Sequence, residues 1–429
     1  MTHPDGSVQL SVSGLFRHGH RQYFILHTSY RLRVLSDFTA RIEPAVHLPV
    51  QKAGITYFDA GMKALRSIFI FLFVVLVRWA GAQNIDESSY RKATDVQAIE
   101  ITAKSRDTYT SAAEQWKSVL SVNNKDENAW INYYKALRYE NYTEHSRTIS
   151  KEKQTILDQV LAEMSNAVPS SFAWQYAAYL NGSKSDASFA FLKKAWELNP
   201  GNIELMDDML CDAIIRQDNQ GSSQFATMLS KSGVYNTAEV EYNKNVFNSI
   251  EQQGILITNG NVDTYPLILM QKLQNFRNDV TIICTEWLGS EAYRRTVAKD
   301  LGISDWKTLN TEKLLKYNTK RPVYLALTLP PEFLKKNGSK LYCTGLAMRH
   351  SKDVVENMPS LEYNWAYLFT KEYIKASDAI NRNYLMPMIL LKAHYEMTGK
   401  VQESEALQLE IIEMSNRHKL DSKLKNYLD

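Results

Sequence analysis

Apolar positions along the chain change period twice, and the changes divide it into three parts. From Tyr90 to about residue 248 the spacing is helical. Ala112, Ala113, Trp116, Val119 and Leu120 form one stripe, and Ala129, Trp130, Tyr133, Tyr134 and Leu137 the next. A polar break at Asn123-Asn124-Lys125-Asp126 between them has helical-hairpin length. The figure recurs at Phe172–Leu180, turns at Asn181-Gly182-Ser183, and resumes at Phe189–Leu198. Asn199-Pro200-Gly201 stops that helix, and Ile203, Leu205, Met206, Met209 and Leu210 begin another. Between residues 249 and 350 short β-branched and apolar runs replace the helical stripes. They predict strands at Ile255–Thr258, Val280–Cys284, Pro322–Leu327 and Lys340–Ala347, with a helix over Ser290–Ala298. Residues 351–429 return to helical spacing, through Asn364–Phe369, Tyr384–Tyr395 and a Glu-rich amphipathic run ending at Met414.

The helical part, residues 84–248, resembles tetratricopeptide repeats. Ala187, Phe191, Ala195 and Pro200 stand near that family's spacing, and Leu391, Tyr395 and Gly399 repeat it near the end of the chain. Ala129-Trp130 and Ala173-Trp174 lie 44 residues apart, against a family repeat of about 34, so the hairpins are degenerate. Their Trp and Tyr stripes are expected in the core, because each hairpin must bury its apolar face on the next.

The most chemically suggestive stretch follows the first predicted strand. Ile255–Thr258 ends at Asn259-Gly260, a polar bend runs through Asn261-Val262-Asp263-Thr264, and a helix starts at Tyr265-Pro266. Strand, turn and helix in that order open a βαβ unit. Parallel strands would bring Asn259, Asn261, Asp263 and Thr264 to one edge of the sheet, together with Glu286 after the second strand and Thr328 after the third. Ligands of open α/β sheets sit at that carboxyl edge, where amides and carboxylates could hold sugar hydroxyls or a cation. The competing reading is that Asn259-Gly260 makes a tight turn and Asp263 or Thr264 caps the helix that Pro266 starts. No catalytic residue and no cofactor is assigned, because the chain has no Gly-rich phosphate loop, Ser/His/Asp spacing or matched carboxylate pair.

Together with Asn259-Gly260 and Asp263–Pro266, Arg277-x-Asp279-Val280, Pro322-Val323-Tyr324, Gly345-Leu346-Ala347, Asn364-Trp365 and Arg382 make a series. It resembles the soluble C-terminal domain of a family of multi-spanning, protein O-mannosyltransferase-like membrane proteins of bacteria and animals, over roughly residues 250–415. In that family the bend typically reads Asn-Gly-Asp-Asn-Asp-Thr; Asn261 and Val262 stand here where Asp and Asn are favoured. The family's catalytic part is embedded in the membrane and absent from this chain. The resemblance therefore implies a stand-alone extracytoplasmic domain, not a transferase.

Near the start, Met62-Lys63-Ala64-Leu65-Arg66 is a short basic segment, followed by the apolar run Ser67–Val77 and by Ala80-x-Ala82. That is a secretory signal peptide over residues 62–82, with cleavage expected after Ala82. It makes residues 1–61 an upstream extension expected to carry no fold, with translation beginning at Met62. Membrane contact, if any, would run only through an uncleaved signal segment. The leader also explains the charge. The net +3 of the 429 residues comes from nine basic against four acidic residues before position 83, leaving a body with 41 basic and 43 acidic. A near-neutral body argues against nucleic acid. Five of the nine histidines lie in the leader, and no Cys-x-x-Cys occurs, so no metal site is assigned. Cys211, Cys284 and Cys343 read as buried free thiols, with a Cys284–Cys343 bridge open to a protein in an oxidising compartment.

The expectation is an α+β, mostly α protein: tetratricopeptide-like helical hairpins flank a small, mainly parallel α/β sheet layer over residues 249–350, with C-terminal hairpins over 351–429. Its expected function is as an exported, non-enzymatic interaction or scaffold module in the periplasm or at the cell envelope, binding protein or glycan. The alternative is an enzyme or carbohydrate-binding accessory using Asn259, Asp263 and Glu286.

Overall fold

The structure, a computed structural model, describes residues 93–99, 104–142, 149–182, 184–317, 320–376 and 378–419, and the backbone of Phe16–His18 and Arg21–Tyr23. The signal segment lies outside the described residues. Within the upstream extension, for which the sequence predicts no fold, Phe16–His18 pairs antiparallel with Arg21–Tyr23.

The helical spacing folds as read. Helices α1 (Arg106–Val122) and α2 (Glu127–Tyr139) form a hairpin, α3 (Lys151–Ala167) follows, and α4 (Phe172–Asn181) with α5 (Ser188–Leu198) forms a second hairpin. The third joins α6 (Met206–Ile215) and α7 (Asn219–Ser232), and α8 (Thr237–Asn248) leads to the sheet. Side-chain caps fix where helices begin: Ser105, Asp126, Ser150, Ser171 and Asp218 each accept from an amide inside the first turn. The aromatic stripes are core, as expected. Trp174 meets Phe191 edge-on at 5.6 Å, Trp196 meets Phe225 at 5.3 Å, and Tyr134, Tyr176 and Tyr179 are buried.

Strand β1 (Ile255–Thr258) runs to α9 (Tyr265–Gln274), β2 (Thr281–Cys284) and α10 (Glu291–Leu301). The short α11 (Thr311–Lys316), β3 (Val323–Ala326) and α12 (Pro331–Asn337) precede β4 (Leu341–Cys343) and β5 (Ala347–His350). The sheet order is β2-β1-β3-β5-β4. β1 pairs parallel with both β2 and β3, as a βαβ crossover requires. β5 pairs antiparallel with β3 and β4, so the sheet is mixed and not mainly parallel. The reason lies in the predicted strand Lys340–Ala347. It breaks at Thr344-Gly345-Leu346 into the β4–β5 hairpin, where Gly345 has φ +145°. A Cβ there would lie 2.3 Å from Ser249 Oγ and 2.8 Å from Phe369 Cζ, so the bend needs glycine.

Sheet order also decides the cysteines. Cys284 on β2 and Cys343 on β4 lie on opposite edges, four strand spacings or roughly 19 Å apart, far beyond disulfide reach. All three thiols are free and buried.

Helix α8 joins the sheet to the C-terminal helices α13 (Met358–Tyr363), α14 (Leu385–Thr398) and α15 (Val401–Arg417). Its buried Asn245 donates to Tyr384 Oη at 2.7 Å and accepts from the Thr370 amide at 3.0 Å. Arg277 ties down the end of α8, donating to the carbonyls of Phe247, Ile250 and Glu251. Its hydrogen bonds hold the Asp279 carboxyl down at about 2.

Candidate functional site

The bend after β1 is built around one carboxylate. Asp263 Oδ2 accepts from the Asn259 amide at 2.8 Å and from the Thr328 hydroxyl; Oδ1 accepts from the Gly260 amide at 2.9 Å. The Thr264 hydroxyl lies 2.8 Å from that of Thr258 and 3.2 Å from Asp263 Oδ1. Asp263 is 2% exposed and Thr264 is buried. Burial pushes the Asp263 carboxyl above the ordinary range, while the two amides and Thr328 oppose the shift. Neither Asp263 nor Thr264 caps α9, whose N-terminus has no side-chain cap. Instead the carboxylate reaches back and ties the end of β1 to the segment after β3.

The remaining predicted residues point elsewhere. The Asn259 carbonyl accepts from the Thr285 hydroxyl at 3.1 Å, joining the bend to the end of β2. Asn261 is buried and donates to Asp207 on α6 at 2.7 Å, so the sheet edge meets the helical hairpins there. Glu286 lies against the Gly260 backbone, where a Cβ would come within 2.9 Å of its carboxylate. Parallel pairing thus brings Asp263, Thr264, Thr328 and the Asn259 backbone into one cluster. Asn261 and Glu286 are turned towards the helices.

What they turn towards is a cavity of about 230 Å³ between the sheet edge and the hairpins. Tyr139, Tyr142, Tyr176 and Tyr179 give it aromatic walls. Lys184, Asp207, Asp208 and Glu286 contribute charge. The Lys184 ammonium sits 2.9 Å from Asp208 and 3.7 Å from Glu286. Burial alone would pull its pKa down, but those two carboxylates hold it well above the ordinary lysine value. Lys184 adopts φ +55°, a left-handed conformation uncommon for a side chain of its size, at the turn that carries it to the acids.

The remaining charged walls are Glu204 and Arg138, the latter near the end of α2. Arg138 is 7% exposed and lies over the Tyr142 ring at 5.6 Å. Its Nε and Nη1 are buried without an acceptor, while the guanidinium hydrogen-bonds the Tyr134 and Tyr142 side chains. A buried guanidinium normally spends its donors on a carboxylate or carbonyl. The neighbouring Lys135 does so, pairing with Glu204 at 2.9 Å. Reading the chain by its apolar stripes missed these residues. Their signal was charge placed inside helices that are otherwise core: Asp207-Asp208 between Met206 and Met209, and Arg138 between Leu137 and Tyr139.

Among the described residues, no group of three His, Cys, Asp or Glu is placed to hold a metal ion, and no helix is long and apolar enough to cross a membrane.

Fold and site together define a protein of helical hairpins built around a small mixed sheet, with a polar cavity where the two meet. Residues 239–306 match the family model described as TMEM260-associated domain 2, so this stretch is a TMEM260-related domain. The match runs from α8 through β1, the Asp263 bend, α9 and β2 to the segment after α10. No curated protein and no solved structure matches the chain.

Proposed function

We propose that this chain is an exported, non-enzymatic interaction module of the cell envelope that captures a protein or glycan partner, related to the soluble domain of protein O-mannosyltransferase-like membrane proteins. The observation that carries the reading is the closed bend. The Asp263 carboxylate is spent on the amides of Asn259 and Gly260 and on Thr328, which leaves it no role as an acid, base or nucleophile. A module also suits the stacked hairpins, whose surfaces recognise partners without doing chemistry on them. The glycan half of the reading draws on the aromatic, carboxylate-bearing cavity.

The test is affinity capture of the native protein from its own cells after cross-linking, with mass spectrometry of both bait and prey. The expected result is a mature N-terminus at Gln83, recovery with the envelope, and a reproducible envelope partner. A cytosolic chain carrying peptides from residues 1–61 would overturn the export, and turnover of a glycan by the purified chain would overturn the non-enzymatic reading.

A further inference from the structure

Charge is spread unevenly along the chain. Residues 291–340 carry eleven Lys/Arg against five Asp/Glu, whereas the rest of the chain after position 82 carries thirty against thirty-eight. We propose that the edge of the sheet at the amino ends of β1, β2 and β3, opposite the Asp263 bend, is a docking surface for a bilayer rich in anionic phospholipid.

Topology gathers the basic excess at that edge. α10 follows the carboxyl end of β2 and runs back, so Lys299 in its last turn lies at the amino end. α11 ends at Lys316 and leads through Lys320 into β3. α12 returns from the carboxyl end of β3 towards Lys340 and β4. β5 runs opposite to β3 and pairs His350 with Val323, which brings Lys352 to the same edge. The crowding is felt at His350, whose pKa is depressed first by burial and then by Lys340 and Lys352. Lys313 pairs with Asp305, Lys336 with Glu312, Arg349 with Glu251 and Arg277 with Asp279. Lys299, Lys316, Lys320, Lys340 and Lys352 are exposed and stand outside those pairs, facing Asp300 and Asp353. A lysine in the last turn of a helix answers the helix dipole, which accounts for Lys299 and Lys316. Lys320 and Lys352 lie outside any helix and have no such local reason.

The spacing selects the partner. From β2 to β4 the edge spans four strand spacings, roughly 19 Å, so a small anion would meet one or two of these lysines and an extended anionic surface would meet them together. Ammonium groups on long stems are point charges suited to headgroups, without the planar forks that read bases. Tyr317 is 38% exposed with its hydroxyl bonded to the Gly302 carbonyl at 2.6 Å, an amphipathic ring of the kind that sits at a membrane interface.

The experiment is flotation of the full chain with vesicles of phosphatidylcholine alone or mixed in equal parts with phosphatidylglycerol. The mixed vesicles should bind at least about tenfold more tightly, with the preference lost at high salt. The triple variant Lys316→Glu, Lys340→Glu, Lys352→Glu should reduce that preference at least about tenfold without lowering the melting temperature. The triple variant Lys117→Glu, Lys194→Glu, Lys231→Glu removes the same charge from exposed positions on the helical hairpins and should leave the preference within about twofold. Any contribution of residues 62–82 is common to every variant, so the contrast between the two triple variants is the readout. No preference for the mixed vesicles, an equal loss in both variants, or tighter binding of duplex DNA or heparin than of the mixed vesicles would each overturn the assignment. Capture of an envelope partner by a chain with no vesicle preference removes this inference alone; vesicle preference without capture leaves it standing and removes the interaction-module reading.

Discussion

The bend at Asp263 and the cavity at Arg138 are neighbouring polar regions with opposite accounts. Each centres on a buried charged side chain. Around Asp263 the chain provides two amides and a hydroxyl from two segments, so the charge is matched and the region is closed. Around Arg138 it provides the rings and hydroxyls of Tyr134 and Tyr142 but no carboxylate, and leaves Nε and Nη1 without an acceptor. A satisfied buried charge organises the fold, whereas an unsatisfied one costs stability and persists where it serves something outside the chain. The polar strand-end bend thus reads as architecture.

The sharpest way to break the comparison is to remove each charge. Asp263→Ala orphans the Asn259 and Gly260 amides and the Thr328 hydroxyl at a nearly inaccessible position. The expected loss is about 3 kcal/mol in urea denaturation; a loss below about 1 kcal/mol would show that the bend is not held by this carboxylate. Arg138→Met keeps the apolar contacts of the side chain but deletes a buried charge that no carboxylate answers. It should stabilise the chain by about 1–2 kcal/mol. Destabilisation of that size would mean that Arg138 is structurally matched in the native state, and the contrast would collapse. A milder probe is Thr328→Val, which removes one of the hydroxyls reaching Asp263 and should cost about 1 kcal/mol while leaving capture of the envelope partner unchanged.

Much of this architecture is legible in the sequence because it rests on period and local chemistry. The stripe from Ala129 to Leu137 and the runs Ile255–Thr258 and Val323–Ala326 each fold as their spacing predicts. The strand predicted through Lys340–Ala347 failed because the break depends on the backbone at Gly345 and on Ser249 and Phe369 packing beside it, contacts made across the chain. The bend was visible, and its role was not. Asp263 looked like either a helix cap or a ligand group, and Thr328, 65 residues later, decides that it is a clamp between strands. Arg138, Asp207 and Asp208 fell between apolar positions of helical stripes, where charged residues ordinarily face solvent. The sheet edge turns those positions inward, and no local pattern records that.

Acid sensitivity gives the smallest effect and separates the bend from its surroundings. Burial, helped by Lys340 and Lys352, holds the His350 imidazole at about 4, below its usual 6.5. A histidine with a depressed folded pKa favours the neutral form. Its contribution to stability is complete above about pH 6.5 and is lost as pH falls towards 4. Asp263 has the opposite sign. Its raised pKa favours the protonated folded state, a contribution present at acid pH and lost as pH rises through the folded value. Melting temperatures measured between pH 7 and 4 should therefore fall modestly on acidification. His350→Gln should flatten that decline in part, since burial, with Arg382 and Arg417, also holds His418 at about 4, and Asp263→Ala should leave it in place or steepen it. A decline that disappears in Asp263→Ala and persists in His350→Gln would place the acid-labile group in the bend, and the bend would then be a site that responds to its environment.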